Sequence, residues 1–310
     1  MTALICGSVA FDTVMVFPGR FRDHILPDRI HLLNVSFLVP SMRRDFGGCA
    51  GNIAYNLGLL GGAGAPMATV GHDIGPYEQW LRDCAVDLAH VRVIDDEYTA
   101  QAFITTDLDD NQITAFHPGA MNHAHVNRVP EHAGITLGVV APDGRDGMLQ
   151  HAAQFAAAGI PMLFDPGQGL PMFDGAELRD FIGQATWVAV NDYEGQLLAE
   201  RTGWSHREIA GRVRALIITK GAAGSVVHAD GREIAIPAAR PEAVVDPTGC
   251  GDAYRAGLIY GLANGLDWET TGRVASLMGA IKIAHSGTQH HGFTMGEFRD
   301  RFRAAFGHAL

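Results

Sequence analysis

The strongest chemical signal in this 310-residue chain is Asp246-Pro247-Thr248-Gly249-Cys250-Gly251-Asp252-Ala253. This glycine-rich turn runs into Tyr254-Arg255-Ala256-Gly257-Leu258-Ile259-Tyr260-Gly261-Leu262, a small-residue apolar segment of helical length. Its backbone N–H groups should crown a helix N-terminus, where the helix dipole favours anions, which makes the turn a phosphate cradle. Asp252 stands at the inner edge of that cradle. A carboxylate there opposes a phosphate unless its task is to take a proton from an attacking hydroxyl. An ordinary turn, with Asp252 a first-turn acid answering the dipole, fits the same residues. Cys250 sits among N–H groups at a helix N-terminus, a setting that lowers a thiol pKa, and Cys49 lies in a second glycine-rich loop, so alkylation that substrates block is expected; small residues in tight turns are the other reading.

Four further stretches carry groups suited to ligand contact. Asp12 follows the short apolar run Ala3 to Ala10, read as a buried parallel strand, and ligands of open α/β sheets bind beyond the carboxyl ends of such strands. Its two oxygens suit a ribose diol, or it stabilises a turn. In Phe46-Gly47-Gly48-Cys49-Ala50-Gly51-Asn52 the glycines let a ligand approach the backbone, and Asn52 offers donor and acceptor at a helix start. Gln168 follows the Pro161–Asp165 strand as a candidate base or ribose contact. Asn191 and Glu194, read at i, i+3 on one helical face, present hard oxygens suited to Mg²⁺ through waters.

The set Asp246, Thr248, Gly249, Gly251 and Asp252, with Pro247 after the first Asp, resembles the second signature of the PfkB family of carbohydrate and nucleoside kinases, and Gly47, Gly48 and Asn52 resemble its first. The resemblance implies a ribokinase-like fold in which Asp252 is the general base and the amides of Gly249, Cys250, Gly251 and Asp252 form the anion hole. It also implies that Asp12, Gly47, Gly48 and Asn52 hold the sugar, that Asn191 and Glu194 are the family's N-x-x-E, and that the turn with Thr219, Gly221 and Gly224 contacts the nucleotide. Lys220 in that turn lacks the phosphate-loop pattern G-x-x-x-x-G-K-[ST]. A helix from Ala275 to Gly287, with Gly287 as its C-cap, would flank the adenine. Asp246, Thr248 and the backbone near His285 and Gly287 would form a monovalent-cation (K⁺) site. Cys49 departs from the lysine of ribokinase-type loops, and Ala50-Gly51 inverts their Gly-Ala order. The segment Pro118-Gly119-Ala120-Met121 is similar to adenosine-kinase-like and archaeal nucleoside kinases, and Phe103, Phe116, His117 and Met121 could sandwich a base or pack within their own layer.

The elements that must position these groups alternate in type. Strand patterns at Met67–Gly71, Gly138–Ala141, Pro161–Asp165, Trp187–Val190 and Leu216–Thr219 are interleaved with helical patterns such as Met148–Ala158 and Ala176–Gly183. That rhythm predicts an α/β, three-layer αβα, doubly wound and mostly parallel sheet. Thr13 to Asp45, broken by Pro18, Pro27 and Pro40, reads as short strands around a long loop from Arg20 to Leu32. Tyr98–Thr106 and Ile113–Phe116 read as a hairpin. Together, about 13–45 and 98–118, they should form a small inserted β-lid on a single domain of 1–310, closing to keep water from the phosphoryl donor. Lid edges invite a homodimer.

Bulk properties exclude several classes. With 47% apolar and 18% charged residues the chain is globular in composition, and a net charge of −11 without a basic block argues against a nucleic-acid partner. Apolar runs are too short to span a membrane, and a cytoplasmic protein is expected. Four cysteines without C-x-x-C spacing suggest neither zinc nor a disulfide framework. His123, His125, His290 and His291 lack ligand-spaced carboxylates or thiolates. The only lysines are Lys220 and Lys282, a bias from which no mechanism follows. No G-x-G-x-x-G follows the first strand, against a nicotinamide dehydrogenase. The expectation is an ATP- and Mg²⁺-dependent nucleoside kinase. A ribose or fructose kinase is the alternative, and a non-catalytic ligand-binding protein on the same fold is the alternative of another class.

Overall fold

The computed structural model describes residues 2–25, 34–109, 111–130 and 134–310. The first strand, β1 (Thr2–Cys6), is buried from Ala3 onward, as a run of consecutive apolar residues requires of a central parallel strand. The chain then turns through Gly7, Ser8 and Val9 into β2 (Ala10–Val16). Thus Ala3 to Ala10 is not one strand, and Asp12 lies within a strand of a second sheet rather than beyond the end of a main-sheet strand.

That second sheet continues with β3 (Ser41–Gly47), which leads into α1 (Cys49–Leu59). The strand follows Pro40 instead of including Val35, Phe37 and Val39. Phe37 packs instead against Phe17 and Phe21, 4.9 Å between ring centroids in each case. Residues 26–32 of the predicted loop lie outside the described residues. Next come β4 (Ala63–Gly71), α2 (Gly75–Asp83) and β5 (Val91–Ile94), then β6 (Ala100–Thr106) and β7 (Gln112–His117). The second sheet has the order β3-β2-β6-β7.

After a 3₁₀ segment at Gly119–Val126 the chain alternates β8 (Ile135–Val140), α3 (Arg145–Ala157), β9 (Met162–Phe164), α4 (Gly175–Gln184), β10 (Trp187–Asn191), α5 (Asp192–Thr202), α6 (His206–Ala210) and β11 (Ala215–Thr219). β12 (Ser225–Ala229) and β13 (Arg232–Ile236) then form an antiparallel hairpin that the reading of the sequence passed over. Asp230-Gly231 between alternating apolar residues was its signal, since both turn residues take positive φ. The main sheet runs β13-β12-β11-β10-β9-β8-β1-β4-β5, parallel from β11 to β5.

Helices cover both faces. Residues of α1, α2, α7 (Cys250–Ala263) and α8 (Trp268–Ile283) share one buried cluster with the sheet, and α3 to α6 share another. The small residues of α7 admit α8 closely: a Cβ on Gly257 would lie 2.4 Å from Ala275 Cα. The last helix, α9 (Met295–Phe306), buries Phe298 and Phe302 against Val274 and Met278 of α8. Full burial of such side chains contributes about 1.5–3 kcal/mol each. α8 stops at Ile283, so Gly287 is not its C-cap; it lies four residues on, with φ +72°. Among the described residues no helix is long and apolar enough to cross a membrane.

Candidate active site

The cradle forms as its residue types dictate. Gly249 is the N-cap of α7 with φ +78°, a left-handed conformation that any side chain would strain, and an added Cβ would meet Thr288 at 3.1 Å. Cys250 N–H is drawn into the turn by the Pro247 carbonyl at 3.2 Å. Among the described residues the N–H groups of Gly249, Gly251 and Asp252 have no protein acceptor, so three orphan donors open from the helix start. Thr248 N–H closes onto Asp246 Oδ1 at 2.9 Å, which fixes the entry to the turn.

Asp252, half-buried, accepts from Asn52 Nδ2 at 2.8 Å through Oδ2. Burial is the largest influence on its carboxyl; with Asp165 also raising it against the opposing pull of Asn52, Arg255 and Cys49, its pKa stands at about 7. A base poised there suits proton transfer near neutrality. Asn52 is itself held from behind. Gln289 Nε2 donates to Asn52 Oδ1 at 2.9 Å and to Tyr77 Oη at 2.6 Å, and Trp80 Nε1 donates to Gln289 Oε1 at 2.9 Å. Tyr77 Oη in turn donates to the Gly47 carbonyl at 2.9 Å, tying the end of β3 to the same network. Gly48, φ +84°, lets the chain pass close to β2: a Cβ there would lie 2.6 Å from Ser8 O. Cys49 N–H and Ala50 N–H then land on Ser8 Oγ and O, anchoring α1.

Strand register decides which groups face the cradle. Asp45, Asp12, Ala102 and Phe116 are consecutive partners across the second sheet, and Arg43, Val14, Ile104 and Thr114 form the next row on that face. Arg43 from this face reaches Asp246 at 3.4 Å and Ser286 at 2.9 Å, so the face with Asp12 and Phe116 looks towards the start of α7. Phe103 and His117 fall on the opposite face. Burial chiefly, then Asp45 and Asp246, push the Asp12 carboxyl up to about 6, with Arg43 opposing. Met121 lies in the 3₁₀ segment after β7, half-buried.

At the main sheet the groups sit at strand carboxyl ends. Gln168, exposed, follows β9, and Thr219 ends β11 beside Asn191, which ends β10. Gly221 and Gly224 form the turn into β12, where a Cβ on Gly224 would lie 2.1 Å from Ile236 O. Asn191 and Glu194 meet at i, i+3, with Asn191 as the N-cap of α5 rather than a residue within it. Asn191 Oδ1 accepts from Glu194 N–H at 2.7 Å and Glu194 Oε2 from Asn191 N–H at 2.8 Å, a reciprocal capping box. Among the described residues Glu194 Oε1 makes no hydrogen bond, and burial raises the Glu194 pKa. Among the described residues no three acids, histidines or cysteines converge as a metal cage. The donors present fit a Mg²⁺ ion held through water and by nucleotide phosphates, the usual habit of that ion.

Several participants escaped the sequence reading. Arg255, one turn after Asp252, is buried and donates to Asp165 Oδ1 at 2.9 Å and to the Ala189 carbonyl at 3.3 Å. A lone arginine in a small apolar helix was its signal. Gln289 had none. Lys282, wholly buried, donates through Nζ to the carbonyls of Asp246 at 2.7 Å and His285 at 3.2 Å. Asp246 Oδ2 accepts from Gly287 N–H at 2.9 Å. Burial pushes Cys250 up to about 11, against the lowering foreseen from the helix end, and raises Cys49 well above the ordinary range too. A cavity of about 550 Å³ bordered by Trp187, Arg214, Asp230 and Trp268 lies at the opposite ends of the strands, away from these groups.

With this geometry in place, comparison with known proteins is informative. The profile described as pfkB family carbohydrate kinase matches residues 9–293. A nucleoside kinase of Methanocaldococcus jannaschii is 31% identical over 258 residues, 83% of this chain and 85% of that protein. A structure of Burkholderia thailandensis nucleoside kinase in complex with inosine is 56% identical, with 99% of each chain covered and a TM-score of 0.91. The same kinase in complex with ADP-inosine is 57% identical, with 99% of this chain and 97% of that chain covered and a TM-score of 0.88.

Proposed function

The chain belongs to the pfkB family of carbohydrate kinases, and from that premise we propose that it is a cytoplasmic, ATP-dependent nucleoside kinase that phosphorylates the ribose 5′-hydroxyl of purine nucleosides, giving nucleoside monophosphate and ADP. The observation that carries this reading is Asp252: a carboxyl with pKa about 7, held by Asn52 at 2.8 Å, at the start of a helix where the N–H groups of Gly249, Gly251 and Asp252 have no acceptor among the described residues. The inosine complexes of the Burkholderia relative support a purine nucleoside as acceptor.

Asp12 accepts hydrogen bonds from the ribose diol, and Gly47 and Gly48 bring backbone against the sugar. Phe116, on the face of Asp12, Met121 and Gln168 border the base. Asp252 Oδ1, free of the Asn52 contact, takes the 5′-hydroxyl proton as the oxygen attacks the terminal phosphorus of ATP. The N–H groups of Gly249, Gly251 and Asp252 receive the charge that develops on the transferring phosphoryl group. Positioned base catalysis contributes on the order of 10²–10⁴ in rate. Thr219, Gly221 and Gly224 border the nucleotide, with Asn191 shaping that end of the cleft. Mg²⁺, when bound, neutralises phosphate charge, and Glu194 Oε1 would hold it through water. The second sheet serves as a lid that excludes water, and its edge is where a homodimer would form. Of the groups expected to bind K⁺, the Asp246 and His285 carbonyls accept from Lys282, and the Asp246 carboxylate accepts from Arg43 and the N–H groups of Gly287 and Thr248. The proposed reaction is therefore written without a monovalent ion.

The test is ADP release with Mg-ATP and a panel of nucleosides and free sugars. Turnover of inosine, adenosine or guanosine, with ribose and fructose inert, is the expected result. The reverse pattern would make it a sugar kinase, and no ADP release with any acceptor a binding protein.

A further inference from the structure

Lys282 is one of two lysines in the chain, and it is wholly buried at the end of α8. A buried ammonium is costly unless every face finds an acceptor. Here the acceptors are two peptide carbonyls, Asp246 at 2.7 Å and His285 at 3.2 Å. They belong to the two segments that frame the phosphate cradle from below: the turn entering α7 and the turn leaving α8. The same segments are stitched together by Val245 and Asp246 N–H on Ile283 O, at 2.8 and 3.2 Å, and by Gly287 N–H on Asp246 Oδ2. Arg43 and Asp45 of the second sheet, the Asp246 carboxylate, the Cys250 thiol and the His291 ring are charged or titratable neighbours.

Two carbonyl oxygens facing inward around one positive charge, with a carboxylate alongside, is the donor set of a monovalent cation. That position is filled by the chain itself.

We propose that Lys282 is a built-in monovalent cation, a positioning residue whose ammonium holds the Asp246–Gly249 turn so that its free N–H groups face the phosphate, making turnover independent of added potassium. The carbonyl of Asp246 is drawn down onto the ammonium, and the peptide units that follow are thereby oriented for Gly249, Gly251 and Asp252 N–H to open upward. Burial lowers the Lys282 pKa while Asp246 opposes it, and the charge acts on Cys250 at the start of α7 without an exchangeable ion.

This inference rests on the kinase reading, and its test separates the two. Wild-type protein is assayed with Mg-ATP and inosine in a buffer whose only monovalent cation is tetramethylammonium, then with added KCl or NH₄Cl. Less than about two-fold change is expected. In Lys282→Met kcat should fall at least about ten-fold, within the range for a disordered anion hole, with a smaller change in the KM for inosine. In Lys282→Ala saturable recovery by ammonium or potassium is expected, which a merely structural lysine would not show. Several-fold activation of the wild type by potassium would overturn the proposal, as would a Lys282→Met enzyme with undiminished kcat. If the variants fail to fold, the wild-type salt series still decides. If inosine is not turned over, the kinase reading fails first, and the ADP-induced thermal shift of the wild type with and without potassium decides cation dependence alone.

Discussion

Asn52 Nδ2 donates to Asp252 Oδ2 at 2.8 Å across 200 residues of sequence, while Gln289 Nε2 holds the far end of the same amide. One carboxylate oxygen is thereby fixed and the other left for a proton. Removing the carboxylate tests the arrangement most directly. Asp252→Asn should lower kcat on the order of 10²–10⁴ and leave ADP binding near wild type, read by steady-state kinetics and calorimetry. A variant with most of its kcat would remove Asp252 from the chemistry.

The same substitution should raise stability at alkaline pH. The folded pKa of Asp252, about 7, lies above the ordinary 3.8, so the fold binds the proton more tightly than the unfolded chain does. Stability is therefore full below pH 3.8 and lost as pH rises towards 7, at about 1.4 kcal/mol per unit of displacement. Melting curves at pH 8 should place Asp252→Asn above wild type, with the gap closing at acid pH.

Activity should fall on the acid side. The base must be ionised, so kcat/KM for the nucleoside should drop as pH falls through about 7, and more steeply as Asp12 protonates near 6. Asn52 lowers the Asp252 pKa, so Asn52→Leu should move the Asp252 limb to higher pH as well as reducing kcat. An unmoved limb in that variant would break the link between the two residues.

Arg255 and Asp165 form a buried ion pair beneath the site, at 2.9 Å. Arg255→Met leaves Asp165 unpaired and should destabilise by about 3–5 kcal/mol. The double variant with Asp165→Asn should recover part of that loss in denaturant unfolding. An additive pair of losses would show that the contact carries no coupling.

Thiol labelling at neutral pH should be slow. With Cys250 at about 11 and Cys49 also raised, little thiolate exists to react. Iodoacetamide should modify the native protein far more slowly than the unfolded chain, with the rate climbing as pH rises. Rapid labelling of Cys250 at pH 7, followed by mass spectrometry, would contradict the burial argument.

The legible part of the site was local. Asp246 to Asp252 and Gly47 to Asn52 could be read because a glycine turn before a helix fixes where N–H groups point, whatever lies around it. The alternation of strands and helices was legible for the same reason. Where the reading slipped, a longer-range contact won: β3 follows Pro40 because Arg43 and Asp45 pair with Val14 and Asp12 of β2. The helix ending at Ile283 stops short of Gly287 where Lys282 gathers the carbonyls of Asp246 and His285.

The sequence by itself determined that a glycine turn opens α7 with Asp252 in its first turn, and that strands and helices alternate around a mostly parallel sheet, all functions of neighbouring residues. Tertiary structure alone decided that Asn52, Gln289 and Asp252 form one chain of hydrogen bonds, that Asp12 and Phe116 share a face, and that Lys282 is a cation within the frame. Burial and contact between distant segments set those outcomes. Desolvation moved the pKa of Asp252 up to about 7 and raised the Cys250 thiol that helix geometry alone would have lowered.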